Sequence, residues 1–150
     1  MGITGRLEEF RSPLDGLLHP CAIAATDDAP EPKPLLIEVS PAALDDLPRA
    51  VALTDEIATI AAAAGRSCVV LRPTGRGPGS VYQDYGEVDV LEAIEFAAGL
   101  HAIDRDRISV TLTWGSHLNL ALLPDYLVYA HGETLDWGFW GNDWHSQDPH

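Results

Sequence analysis

Positive charge is scarce in this chain. Its 150 residues hold 9 Lys and Arg against 23 Asp and Glu, a formal net charge of −14 at pH 7. The basic residues are scattered, and phosphate recognition needs them clustered, so nucleic acid and anionic membrane are excluded as expected partners. The acid excess reads as a solubility device. Cysteine is nearly absent as well: Cys21 and Cys68 stand far apart, with no Cys-x-x-Cys pair for a metal or redox centre. Cys68 lies in an apolar run and reads as a small core residue. No apolar run reaches the roughly 18 to 20 residues of a membrane span. The start, Met1-Gly2-Ile3-Thr4-Gly5-Arg6, has neither the basic opening nor the apolar core of a secretory leader, so the expected location is the cytoplasm. No internal repeat is visible. An apolar fraction of 46% and this length suit one globular domain with a real core.

The informative stretch is 67–116. Ser67-Cys68-Val69-Val70-Leu71-Arg72 is rich in β-branched residues and predicts a strand. Pro73-Thr74-Gly75-Arg76-Gly77-Pro78-Gly79 cannot continue a ladder and predicts a loop. Residues 87–98 switch to helical period, with Val88, Leu91, Ile94, Ala97 and Ala98 expected inward and Glu87, Asp89, Glu92 and Glu95 outward. Gly99 stops this helix, residues 103–107 read as a polar turn, and 108–113 as a second strand. Upstream, Leu35-Leu36-Ile37-Glu38-Val39 predicts a buried strand and 48–64 a helix, opened by Asp45, Asp46 and Pro48 and closed by Gly65. Two strand–helix–strand units in tandem predict strands 35–39, 67–71 and 108–113 side by side and parallel. The fold class is α/β, a mainly parallel sheet flanked by helices. Before it, Leu7, Phe10 and Leu14 suggest a short amphipathic piece, 21–25 a strand, and the proline-rich 27–34 a stiff linker.

Three of these motifs, taken in order, resemble the α/β-hydrolase superfamily, in the flavour of the prolyl-oligopeptidase-type serine hydrolases and esterases. They are Arg72-Pro73-Thr74-Gly75-Arg76-Gly77, then 86–95 from Gly86 to Glu95, then Ile103-Asp104-Arg105-Asp106-Arg107-Ile108. The likeness covers roughly 34–116. It implies a partial α/β-hydrolase-like fold over one domain, 1–150, either truncated or with a divergent tail over 117–150. It implies hydrolysis of a small ester or peptide, with no cofactor or metal. A half-sheet of this kind leaves an open edge that invites pairing into a homo-oligomer.

In that family a strand feeds a Gly-x-Ser-x-Gly elbow, which presents a hydroxyl at a helix N-terminus. Trp114-Gly115-Ser116-His117-Leu118 stands in that place, with Trp114 and Leu118 where the family has glycine and Ser116 two residues late. Ser116 is the candidate nucleophile; the other reading is a loop serine. The family order, nucleophile then acid then histidine, can be met by Asp125, Asp136 or Asp143 as the acid, Asp125 first among them, and by His131 or His145. Oxyanion donors implied by the resemblance are the backbone N–H groups of Ala42 and His117, although the adjacent Pro41 has none to give. Arg76 and Tyr82 are candidates for the substrate side of the cleft. The bland reading of Arg76 pairs it with a nearby acid, Asp84 or Glu87. The glycine-rich 75–80 could also cradle phosphate, but it lacks the Gly-Lys-Ser/Thr ending. In the tail, His131, Glu133, Asp136, Asp143, His145 and His150 are weakly spaced metal candidates. Trp137, Trp140 and Trp144 suggest either a binding platform or a cover for the sheet. The rival to an enzyme is therefore a non-catalytic, hydrolase-like module that binds a partner through this tail.

Overall fold

In Lys33–Val39, buried residues alternate with half-buried ones: Lys33, Leu35, Ile37 and Val39 are covered on one face, Pro34, Leu36 and Glu38 partly on the other. A strand that hides both faces lies inside a sheet with helices on each side. In the computed structural model, which describes residues 4–39, 46–77 and 85–112, that is its position. The element order is β1 (Arg6–Arg11), β2 (Leu18–Ala25), β3 (Lys33–Val39), α1 (Leu47–Ala63), β4 (Val69–Pro73), α2 (Tyr85–Leu100) and β5 (Ile103–Leu112). The sheet order is β1-β2-β4-β3-β5. β1 pairs with β2, and β2 with β4, in antiparallel fashion, while β3 runs parallel to both β4 and β5. Ile37 sits level with Leu71 on one side and Val110 on the other, so the three parallel strands end together.

The three predicted strands are thus parallel, but β3 lies between the other two, and β4 and β5 do not touch as neighbours. The predicted polar turn at 103–107 belongs to β5. Lys33 pairs with Ile103 and Leu35 with Ile108, so Asp104 to Arg107 bulge out of register. That bulge is tied off by Arg107 Nε to Asp104 at 2.6 Å and by the Asp106 amide to Asp104 at 3.0 Å.

The N-terminal segment departs most from expectation. Leu7, Phe10 and Leu14 do not share a helix face; 6–25 is a β-hairpin in which Phe10 alone of the three enters the core. Its loop is closed by the Ser12 amide on Leu17 O (2.9 Å) and the Gly16 amide on Ser12 O (2.8 Å). Gly16 there takes φ 72°, a left-handed value that a residue without Cβ adopts at little cost.

The helices cover opposite faces. α1 starts on Asp46, whose carboxylate accepts from the Arg49 amide at 3.0 Å, with proline in its first turn. It lays Ala50, Thr54 and Ala58 over Ala22, Ala24 and Val70, small side chains that allow close approach. Gly65 (φ 72°) ends it, and the Arg66 amide turns back onto Ala61 O at 2.9 Å. α2 brings Val90, Ala93, Ile94 and Ala97 onto the main core of Ile23, Leu35, Ile37, Val69, Leu71, Ile108 and Val110. Its predicted face needs correcting. Ile94 and Ala97 are inward as expected, but Glu87 and Asp89 are fully buried, while Val88, Leu91 and Ala98 are only half-buried. Among the described residues no helix is long and apolar enough to cross a membrane.

Candidate functional site

The carboxyl ends of β3, β4 and β5 form one edge, where open α/β sheets carry their sites. β4 ends in a tight turn. The Gly77 amide closes on Thr74 O at 3.0 Å, and Gly75, Arg76 and Gly77 take φ of 60°, 62° and 94°. Positive φ at both central positions is the signature of a type I′ turn. For Gly75 this is easy. For Arg76, with a Cβ, it costs about 1–3 kcal/mol and persists only where surrounding contacts impose it. Thr74 anchors the turn on β2, its hydroxyl donating to Pro20 O at 3.0 Å.

The contacts that hold Arg76 come from two elements, α2 and the hairpin loop. Its guanidinium donates to Asp89 Oδ1 (3.1 Å) and Glu92 Oε2 (3.3 Å) on α2, and to Ser12 Oγ (2.6 Å) and Asp15 Oδ2 (3.3 Å) in the hairpin loop. Asp89 Oδ2 accepts the Gly75 amide at 2.9 Å, so one carboxylate holds both the backbone and the side chain of the turn. This explains the orientation of α2: the helix turns Asp89 inward because its counter-charge arrives from the turn. Burial pushes the Asp89 carboxyl up to about 6, with Glu92 adding to the rise and Gly75 N–H, Arg76 and His19 opposing it. Cys21 lies beside this carboxylate. Burial first, then Asp89 and Glu8, push its thiol up to about 12, and burial raises Cys68 too. Both thiols are therefore expected to be inert to a disulfide reagent at pH 8 in the native protein and to react at once in denaturant. Fast modification of either thiol without denaturant contradicts this.

The opposite face of the same edge has a second buried cation. Arg72 is 2% exposed, its Nε donating to Thr54 Oγ1 (3.3 Å) on α1 and its Nη2 lying 3.8 Å from Glu38 on β3. Burial raises the Glu38 carboxyl, against the pull of Thr111 on β5 and of Arg72. Arg72 was not singled out from the sequence, although an arginine closing the run Val69-Val70-Leu71 is an available sign of a buried pair.

Of the sequence-predicted site residues, Arg76 alone lies among the described ones. Ser116, His117, Asp125, His131, His145, Ala42 and Tyr82 lie outside them, as do Trp114 and the tail tryptophans. Arg76 does pair with nearby acids, and these are Asp15, Asp89 and Glu92, while Asp84 lies outside the described residues. In the glycine-rich stretch 75–80, a buried carboxylate takes the Gly75 amide, and 78–80 lie outside the described residues. No group of His, Cys, Asp and Glu among the described residues has the arrangement of a metal site.

No protein-family model and no curated protein matches this chain. Solved structures do. A ferulic acid esterase superposes with a TM-score of 0.57 at 11% identity, over 75% of this chain and 51% of its own. A thermostable esterase gives 0.57 at 19%, over 73% and 34%. The fluorophosphonate-binding serine hydrolase F of Staphylococcus aureus gives 0.58 at 13%, over 75% and 48%. The fold is α/β-hydrolase-like. It is also partial, since the chain spans about half or less of the length of these three structures. In an α/β hydrolase the nucleophile sits on a strand-to-helix turn, and one oxyanion N–H comes from the loop between the third strand and the first helix. In chain order, β3 is followed by the segment that contains Ala42 and β5 by the segment that contains Ser116, both outside the described residues.

Proposed function

We propose that this chain is a serine-hydrolase-like protein acting on a small ester or peptide bond, of the prolyl-oligopeptidase type, with Ser116 as its nucleophile. The observation that supports this most is the level carboxyl edge of β4, β3 and β5 in a sheet that superposes on esterase structures. That arrangement brings the ends of two separate chain segments to one place, as acyl transfer requires. In this reading Ser116 Oγ attacks the carbonyl carbon while His131 or His145 takes its proton and Asp125 orients the base. The Ala42 and His117 N–H groups receive the charge that develops on the carbonyl oxygen. Arg76 and Tyr82 border the substrate side. In the same reading the protein works in the cytoplasm, without cofactor, nucleic acid or membrane, and pairs with a second copy through an open sheet edge. A fluorophosphonate probe incubated with the full chain tests the assignment. Covalent labelling that vanishes in Ser116→Ala supports it; labelling that survives the substitution, or none at all, removes Ser116 from the role.

A second reading is favoured by Arg76 itself, whose guanidinium is already engaged by three carboxylates and a hydroxyl. An edge so internally satisfied suits a non-catalytic module that binds a partner through Trp137, Trp140 and Trp144. Absent labelling, with a partner bound by the full chain and lost on Trp140→Ala, would select it.

A further inference from the structure

We propose that the Asp89–Arg76 contact is an acid-released latch: protonation of Asp89 lets Arg76 leave, loosening the turn at 74–77 and the hairpin loop, while α2 and the sheet stay folded. Two features make the contact a latch rather than an ordinary ion pair. Arg76 ties three elements with one side chain, the hairpin loop through Ser12 and Asp15, its own turn, and α2 through Asp89 and Glu92. It does so from a left-handed backbone conformation that it would abandon unless held.

The partners are unequal. Asp89 is fully buried, whereas the side chains of Asp15 and Glu92 are 32% and 14% exposed, so solvent screens their grip more. The groups facing Asp89 come from every side: Arg76 from the turn, Glu92 from α2, and His19 and Cys21 from β2. Asp15 bonds His19 from the hairpin loop at 2.9 Å, and Glu8 of β1 lies near Cys21. Arg76 is among the groups that hold the Asp89 carboxyl down. An arrangement with Arg76 turned out to solvent and Asp89 still buried therefore binds the proton more tightly. Linkage then requires the proton to favour that arrangement. Because burial has already brought Asp89 up to about 6, mild acid suffices.

The sign has a second consequence. A carboxyl whose folded pKa is raised contributes stability that is complete below its unfolded pKa and is lost as pH rises through about 6. Lowering pH from 7 to 5 therefore loosens the turn locally while this group strengthens the fold globally. Few other titrations move the two readouts in opposite directions.

Amide hydrogen exchange of the full chain, corrected for its intrinsic pH dependence, tests the latch. The Gly77 amide, bonded to Thr74 O, and the Gly16 amide, bonded to Ser12 O, are the reporters. Both are expected to lose protection by about fivefold between pH 7 and pH 5, if losing Arg76 makes Asp89 about tenfold harder to ionise. Amides of Ile37 and Leu71 should not lose protection. Asp89→Asn should abolish the step, and His19→Gln should retain it. Urea unfolding should show the wild type gaining on Asp89→Asn as pH falls. A flat Gly77 profile in the wild type, or an unchanged step in Asp89→Asn, overturns the proposal. Should Asp89→Asn fail to fold, Arg76→Lys decides: a single ammonium cannot span the four acceptors, so a wild-type step in that variant overturns the latch equally.

Discussion

Arg76→Ala is expected to cost about 3 kcal/mol of folding stability at pH 7, against less than about 0.5 kcal/mol for Arg49→Ala. Arg49 is exposed on the first turn of α1 and contributes a backbone amide to the cap, which alanine keeps. Removing Arg76 leaves Asp89 buried with one backbone N–H and without its hydrogen-bonded arginine, and it cuts the hairpin loop from α2. Breaking a buried pair from one side is expensive because the remaining charge has lost both water and partner. The variant can escape part of the cost by taking up a proton on Asp89, and that escape is easier in acid. The loss should therefore be smaller at pH 5 than at pH 7. Urea unfolding at the two pH values measures it, and a Tm lowered by roughly 10 °C at pH 7 is the matching thermal result. Small and equal effects of the two substitutions would show that the turn is held by other contacts. Any ligand of the cleft should feel Arg76→Ala more than Arg49→Ala for the same reason, since one lies at the carboxyl edge and the other on an exposed helix turn.

Hydrolysis of a simple activated ester is expected to be slow, below about 1 turnover per second, under the usual enzyme range. The reason lies in the sequence around the proposed nucleophile. Trp114 and Leu118 replace the two glycines that let strand and helix approach at an elbow, and Ser116 stands two residues late. Pro41 removes one backbone donor next to Ala42. A misplacement of about 1 Å between reacting atoms can cost roughly 100-fold in rate, so these departures together outweigh a correct sheet. Steady-state kinetics on an aryl ester, with Ser116→Ala as the control, measures this. Turnover of about 1 per second or faster that disappears in Ser116→Ala would show the elbow to be well formed despite its residues.

The α/β class, β3, α1, β4 and α2 were legible in the sequence because each is signalled locally. A β-branched run, an Asp cap with proline, and a glycine stop act within a few residues of themselves. The parallel sense of the strands was legible too, since a helix between two strands returns the chain to the same end of the sheet. The turn at 74–77 was visible from its prolines and glycines, and Arg76 within it as a residue that would meet acids.

What the tertiary structure alone decided concerns partners distant in sequence. Leu7, Phe10 and Leu14 fit helical spacing, but 6–11 is too short for a period to settle its state, and pairing with β2 made it a strand. β3 separates β4 from β5 because strand order depends on which edge each crossover returns to, which no local run encodes. α2 is rotated from its apolar pattern for an electrostatic reason. Asp89 can be buried only because Arg76, 13 residues earlier and in a left-handed turn, brings a positive charge to it. The acids were plain in the sequence. Which of them points inward depended on where the turn placed its cation.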